Sequence, residues 1–267
     1  MTDNSPKKPK DLTTDLNDFD GSSKSLFMSV SAKNISRLKD LSIENLWLIG
    51  ANDKELGKIL PLLHLKYLDL YQVLAKDLAI LETLNEVEQI NMTWSTKAIG
   101  LWDVSKNKSL KALSIIDFSK LDNIDQMESA KQLHSFTLEG GMTKPMKIKS
   151  LKPLSSLQNL KRLRLYNLKL DDDTLRPLGS LTNLIELNIS NQFETEEYAW
   201  LATRLGQTEC KMFKATTSCD LVDANSKLVW DTMVTGRKKP FLLSSKDQVK
   251  IDKYIQDFER LKTELAG

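Results

Sequence analysis

The chain has 267 residues, 40% hydrophobic and 28% charged, and its 38 Lys plus Arg nearly balance 36 Asp plus Glu, leaving a formal net charge of +2. No global field therefore draws it to nucleic acid, a membrane surface or a strongly acidic partner. Two cysteines, Cys210 and Cys219, are too few for a disulfide framework and fit a reduced, cytoplasmic setting, while the polar start lacks a signal segment and no stretch of about 18 apolar residues offers a membrane span.

Residues 1–23 (MTDNSPKKPKDLTTDLNDFDGSS) carry few large apolar groups and read as a flexible tail. Over residues 24–30, Leu26, Met28 and Val30 alternate at the period of a strand, which predicts an amino-terminal cap strand. Leu46, Leu68, Ile90, Leu113, Phe136, Leu163 and Leu187 then hold one position of a recurring L-x-x-L-x-L pattern, at spacings of 22, 22, 23, 23, 27 and 24 residues. Such a period marks a solenoid, in which a unit buries its apolar row only against the units on either side. The strand signatures are IENLWL, LKYLDL, VEQINM, LKALSI, LHSFTL, LKRLRL and LIELNI. Between them apolar residues return every third position, as in Leu56, Ile59, Leu62, Leu65 and Leu175, Leu178, Leu181, Leu184, the spacing of a short helical or 3₁₀ segment beneath the sheet. The 27-residue spacing holds an insertion at residues 140–145, which Gly and Pro mark as a loop.

Beyond residue 213, LVWDTMV and PFLL read as two strands joined by Thr235-Gly236-Arg237-Lys238-Lys239. Ser245 with Gln248 forms a capping-box signature, and Ile251, Ile255, Phe258, Leu261 and Leu265 share one helical stripe. The predicted organisation is thus a tail (1–23), a solenoid (24–213) and a cap of strands and a terminal helix (214–267), the cap hiding an open edge.

These units, above all LKRLRLYNLKLDDDTLRPLGSLTNLIELNIS over residues 160–190, resemble the leucine-rich repeat family. The chain as a whole, with its basic hairpin before a final helix, resembles small bacterial members. The resemblance implies an α/β fold, a curved parallel sheet on the concave face with short helical segments on the convex face, and a role in protein recognition. It names no ligand. The family's Asn after each strand is mostly replaced, by Ala51, Val73, Ser95, Phe118, Gly141, Leu168 and Gln192, which predicts a less regular turn there.

Because strand side chains alternate, the residues between the buried leucines must share the opposite face. A middle column reads Trp47, Asp69, Asn91, Ser114, Thr137, Arg164, Asn188. The column before it reads Asn45, Tyr67, Gln89, Ala112, Ser135, Arg162, Glu186, and the one after it Ile49, Tyr71, Thr93, Ile116, Glu139, Tyr166, Ser190. Trp47, Tyr67, Tyr71 and Trp94, beside Asp69 and Asn91, make a candidate aromatic anchor, since such side chains hide much area with few rotors to freeze. They could equally pack on each other or under the amino-terminal arm. Arg162, Arg164, Tyr166 and Glu186 make a second candidate, for which a mutual Arg–Glu pair across adjacent strands is the plainer reading.

Chemistry is not evident. His64 and His134 lack zinc-spaced partners, Asp171-Asp172-Asp173 lacks the pattern of a calcium loop and reads as capping the next helical turn, and no glycine loop suits a phosphate. The expectation is a non-catalytic module without cofactor or metal that binds a protein partner on its concave face. A narrower version is a toxin-neutralising immunity or enzyme-inhibitor protein. The other class is a nucleic-acid binder working through the basic residues Arg237, Lys238 and Lys239.

Overall fold

The computed structural model describes residues 5–266. In chain order its first strands are β1 (Thr13–Asp15), β2 (Ser25–Lys33), β3 (Asn45–Ile49), β4 (Tyr67–Val73), β5 (Gln89–Ser95), β6 (Ala112–Phe118), β7 (Ser135–Glu139), β8 (Met146–Ile148), β9 (Arg162–Tyr166), β10 (Leu168–Leu170) and β11 (Glu186–Ile189). Among the described residues, nine of these join in sequence order into one parallel sheet, and β8 pairs with β10 in a second. Adjacent strands are joined by 3₁₀ turns or, after β3, by helix α1 (Asp53–Ile59). Asn52 starts that helix by accepting from the Lys54 and Glu55 amides, while Glu55 accepts from the Asn52 amide.

The apolar pattern sets the register. Leu46, Leu68, Ile90, Leu113, Phe136, Leu163 and Leu187 are partners from strand to strand, and all are buried. The every-third-residue rows close the coil from behind, with Leu56, Ile59 and Leu65, and Leu175, Leu178, Leu181 and Leu184, all in the core. A Leu has no cover from its own coil, so the core exists only through stacking.

Five of the seven turns that follow the repeat strands share one conformation, more regular than the missing Asn predicts. Gly50, Gln72, Trp94, Asp117 and Asn167 each adopt a positive φ, between 48° and 81°. This left-handed kink turns the next residue inward, and Ala51, Val73, Ser95, Phe118 and Leu168 are buried there. A buried plug, apolar except at Ser95, thus stands where a polar ladder would run.

The polar ladder runs instead along the corner that leads into the strands. The Asn107 amide donates to the carbonyls of Leu81 and Leu84, at 2.7 and 2.9 Å, and its oxygen accepts from the Trp102 indole at 2.6 Å. One coil on, Gln132 donates to the Val104 carbonyl, and Asn159 and Asn183 donate to those of Lys131 and Gln158. The carbonyls of Leu84, Lys131 and Gln158 gain a partner in this way, while those of Leu81 and Val104 also accept from the Leu84 and Asn107 amides.

The amino-terminal segment departs from the expected tail. Its first four residues lie outside the described residues, but from residue 13 onward β1 pairs with β2, and Leu16 is fully buried. Arg37 completes the attachment by donating to the carbonyls of Leu16 and Phe19. One buried leucine and a strand partner suffice to order what composition alone leaves loose.

At the other end, helix α2 (Thr195–Arg204) follows β11, and then β12 (Thr216–Val222), β13 (Leu228–Val234) and β14 (Phe241–Leu242) form an antiparallel sheet ahead of helix α3 (Ser244–Leu265). The two predicted strands are present and gain a third, β12. The expected capping box is absent. Asp231 accepts from the Ser244 amide and Asp247 from the Leu243 amide, so Asp carboxylates take the place of Ser245 and Gln248. On α3, Phe258 enters the main core and Ile251 a small one with Val234 and Leu242, while Ile255 remains exposed.

Asn107→Ala should leave the Trp102 indole and the Leu84 carbonyl without these partners and lower stability by about 2–4 kcal/mol. Urea unfolding monitored by circular dichroism measures this, and a loss below roughly 0.5 kcal/mol would show that the ladder contributes little.

Candidate functional site on the concave face

The strand register brings the three outward columns into straight rows. Trp47, Asp69, Asn91, Ser114, Thr137, Arg164 and Asn188 are direct partners across successive strands, and the rows through Tyr67 and Tyr71 align in the same way. Phe27 on β2 pairs with Trp47 and so extends the middle row by one strand. It lies in the predicted cap strand, and carrying the column back one unit would have found it.

The aromatic candidates divide into two pairs. Trp47 and Tyr67 pack with ring centroids 4.9 Å apart and are only 4% and 6% exposed. Tyr71 and Trp94, 5.9 Å apart, are 46% and 40% exposed. The inner pair belongs to a buried network: Asn91 donates to the Tyr67 hydroxyl at 2.8 Å, and that hydroxyl donates to Asp69 at 3.3 Å. Burial, assisted by the Asp69 charge, pushes the Tyr67 phenol up to about 12, so it stays a neutral donor at physiological pH. Burial also holds the Asp69 carboxyl above its ordinary value, opposed by hydrogen bonds from Asn91 and Tyr67 and by the charge of Lys8.

The amino-terminal arm explains part of this burial. The Ser5 hydroxyl donates to Gln89 on β5 at 3.2 Å, and the Lys8 ammonium lies 3.7 Å from the centre of the Phe27 ring on β2. Between those two points the arm passes over β3 and β4, which carry Trp47, Tyr67 and Asp69. Trp47 and Tyr67 thus take the sequence alternative of packing on each other, on the strands between the two that the arm touches, whereas Tyr71 and Trp94 remain open.

Beyond Gln89 the face is a trough of about 350 Å³, floored by Asn91, Ala112, Ser114, Ser135 and Thr137 and edged by Ile116, Glu139 and Arg164. Small side chains at its centre make it concave. The second candidate cluster closes its far side. Arg164 pairs with Glu139 at 3.0 Å and stacks 4.0 Å over the Tyr166 ring, while Arg162 faces Glu186 at 3.6 Å. These arginines are held by carboxylates across adjacent strands, but their side chains stay partly exposed at the trough wall.

Among solved structures, a leucine-rich repeat protein of Leptospira interrogans is similar over 75% of this chain and 52% of that one, at 17% identity and a TM-score of 0.52. This chain has the leucine-rich repeat fold. Internalin C2 of Listeria monocytogenes is similar over 66% of this chain and 73% of its own, at 17% identity and a TM-score of 0.44. No family model matches the sequence, and no curated protein matches it.

Elsewhere on the leucine-rich repeat solenoid, Arg237 of the predicted basic patch is occupied, while Lys238 and Lys239 are exposed. Arg237 pairs with Asp173 and donates to the Gln192 carbonyl, with Glu194 at 3.6 Å. It pins the turn between β13 and β14 onto the last repeat, where the Gly236 amide also donates to Asn191. Asp173 is therefore an ion-pair partner, and it is Thr174 whose hydroxyl accepts from Arg176 at the next turn, in place of the Asp caps expected there. Among the described residues no helix is long and apolar enough to cross a membrane.

The elevated Asp69 carboxyl sets a pH dependence. The folded protein holds this proton at pH values where the unfolded chain has already released it, so the buried carboxylate costs stability above the folded value and costs nothing below the unfolded one. Asp69→Asn should accordingly raise stability at pH 7, with the gain fading as pH falls through the ordinary carboxylate range. Chemical unfolding at pH 7 and pH 3 tests it, and a gain of equal size at both would rule out the carboxylate as its source.

Proposed function

We propose that this protein is a non-catalytic recognition module that binds a protein partner on its concave face, without metal or cofactor. The observation that carries the reading is the preformed trough beyond Gln89, with the exposed Tyr71 and Trp94 toward its amino-terminal side and Arg164 at its wall. A rigid floor needs no ordering when a partner arrives, so little of the contact energy is spent on loop entropy. Exposed aromatics and arginine are the side chains best suited to anchor such a contact. A reducing, cytoplasmic setting suits the free thiols of Cys210 and Cys219.

The leading anchors are Tyr71, Trp94, Arg164 and Tyr166. Trp47 and Tyr67, buried in this structure, are not among them, and truncating either would open a cavity. The nucleic-acid reading loses its strongest cation to the Asp173 and Glu194 pairs.

Capture from the native cell, with identification by mass spectrometry, should give a stoichiometric protein partner whose recovery falls at least about tenfold with Tyr71→Ala combined with Trp94→Asn. Asn suits the left-handed backbone at position 94, so the fold should be retained. Equal recovery by wild type and variant would sink the concave-face assignment.

A further inference from the structure

The residues that cross the concave face have a pattern of their own. Residues 5–10 read Ser-Pro-Lys-Lys-Pro-Lys, without helix or strand. Pro6 and Pro9 are half-buried, while Lys7, Lys8 and Lys10 are exposed. Proline fixes φ near the polyproline II value and removes the amide donor. That helix turns once every three residues, so positions 6 and 9 fall on one edge of it. The prolines therefore face the sheet, Lys7 and Lys10 point away from it, and Lys8, on the third edge, reaches back to place its ammonium over Phe27.

The path is also constrained. Lys8 sits over Phe27 on β2 and Ser5 over Gln89 on β5, a crossing of three strand spacings, or about 14 Å. Three residue steps of polyproline II supply about 9 Å, and the Lys8 and Ser5 side chains reach the remainder. The segment must then lie nearly straight across the rings of Trp47 and Tyr67. An aromatic floor beneath an extended, proline-spaced chain is a known physical mode of peptide recognition, because the chain is stiff before it binds and loses little entropy. The cation over Phe27 adds attraction to the ring face, and Asp69 gives the groove its negative charge.

We propose that the amino-terminal half of the concave face is a groove for an extended, lysine-bearing Pro-x-x-Pro segment, and that the chain's own residues 5–10 fill it in cis. The inference rests on the concave-face reading above and gives the partner a chemistry. A partner presenting such a segment displaces the arm and gains Trp47, Tyr67 and Asp69 as contacts in addition to the open trough. The arm thereby sets a threshold, since it competes at the high effective concentration of a short tether.

The test uses the full chain and a fluorescent synthetic peptide with the sequence of residues 2–12, followed by anisotropy. Wild-type protein should bind it weakly, and the Lys8→Glu protein, whose own arm no longer holds, at least about tenfold more tightly. Replacing both prolines of the peptide by alanine should abolish that gain. Absence of binding to either protein, or binding indifferent to the prolines, would overturn the groove. Sedimentation should show a monomer; a dimer that dissociates on Lys8→Glu would overturn the cis assignment in favour of arm exchange between two copies. The two readings fail separately. A peptide that does not bind, while the Tyr71/Trp94 variant still loses its partner, removes the groove and leaves the recognition module standing. A peptide that binds, while that variant retains its partner, does the reverse.

Discussion

Each coil of this solenoid covers its apolar row only with the rows of the coils before and after it, and the remaining features of the structure answer to that constraint. The strand leucines must stay in exact lateral register, since a shift of one residue would turn a whole row toward water. Five coils also leave their strand through one and the same turn. The left-handed residue at Gly50, Gln72, Trp94, Asp117 and Asn167 makes that turn. Four of the five carry a side chain in a conformation that favours glycine, at a cost of order 1 kcal/mol each, and the burial of Ala51, Val73, Ser95, Phe118 and Leu168 directly behind them offsets it.

Stacking leaves two rows without a neighbour, and the chain treats both ends alike. An additional segment lies over each end and is tied down by an arginine directed at backbone carbonyls. Arg37 holds the segment around Leu16, and Arg237 holds the turn between β13 and β14 against Gln192. Arginine suits this task because its several fixed donors can satisfy more than one acceptor while its charge stays near solvent. The basic turn that reads in sequence as a nucleic-acid contact is at Arg237 a structural clip.

The repeats and the three outward columns were legible in the sequence because they depend on period alone. Trp47 through Asn188 are aligned in the sheet as spacing requires, and the LKRLRL and LIELNI strands pair residue for residue. What spacing could not reveal depends on contacts between distant residues. The arm is polar and short of apolar groups, yet Leu16, the β1–β2 pairing and the Arg37 bonds fix it, and no local pattern announces that Ser5 will meet Gln89. Nor does spacing separate buried Trp47 and Tyr67 from exposed Tyr71, or show that Trp94, which has the parity of the buried strand positions, is exposed. The carboxyl-terminal helix lost its expected box because Asp231, thirteen positions away on another strand, reaches the Ser244 amide first. The displaced polar ladder follows a different rule: Gln132, Asn159 and Asn183 each stand three residues before a strand and Asn107 five, a spacing the sequence does carry, but the family pattern directs attention to the other corner.

The concave face thus has two halves built on different physics. From β5 to β9 the floor is small and polar, open to solvent, with its charges paired across neighbouring strands. From β2 to β4 it is aromatic, with one carboxylate held at a cost beneath the arm. A buried acid serves poorly as a stabilising element, since its desolvation opposes the hydrogen bonds that it accepts. Its value lies in what it selects: Asp69 favours a cation above the groove, and Lys8 supplies one at the Phe27 ring. An apolar residue at position 69 would spare the desolvation but lose this preference for a basic chain over any other extended segment. On this reasoning the strained acid and the basic arm are two parts of one device, and the stability given up at Asp69 is exchanged for discrimination at the closed half of the face.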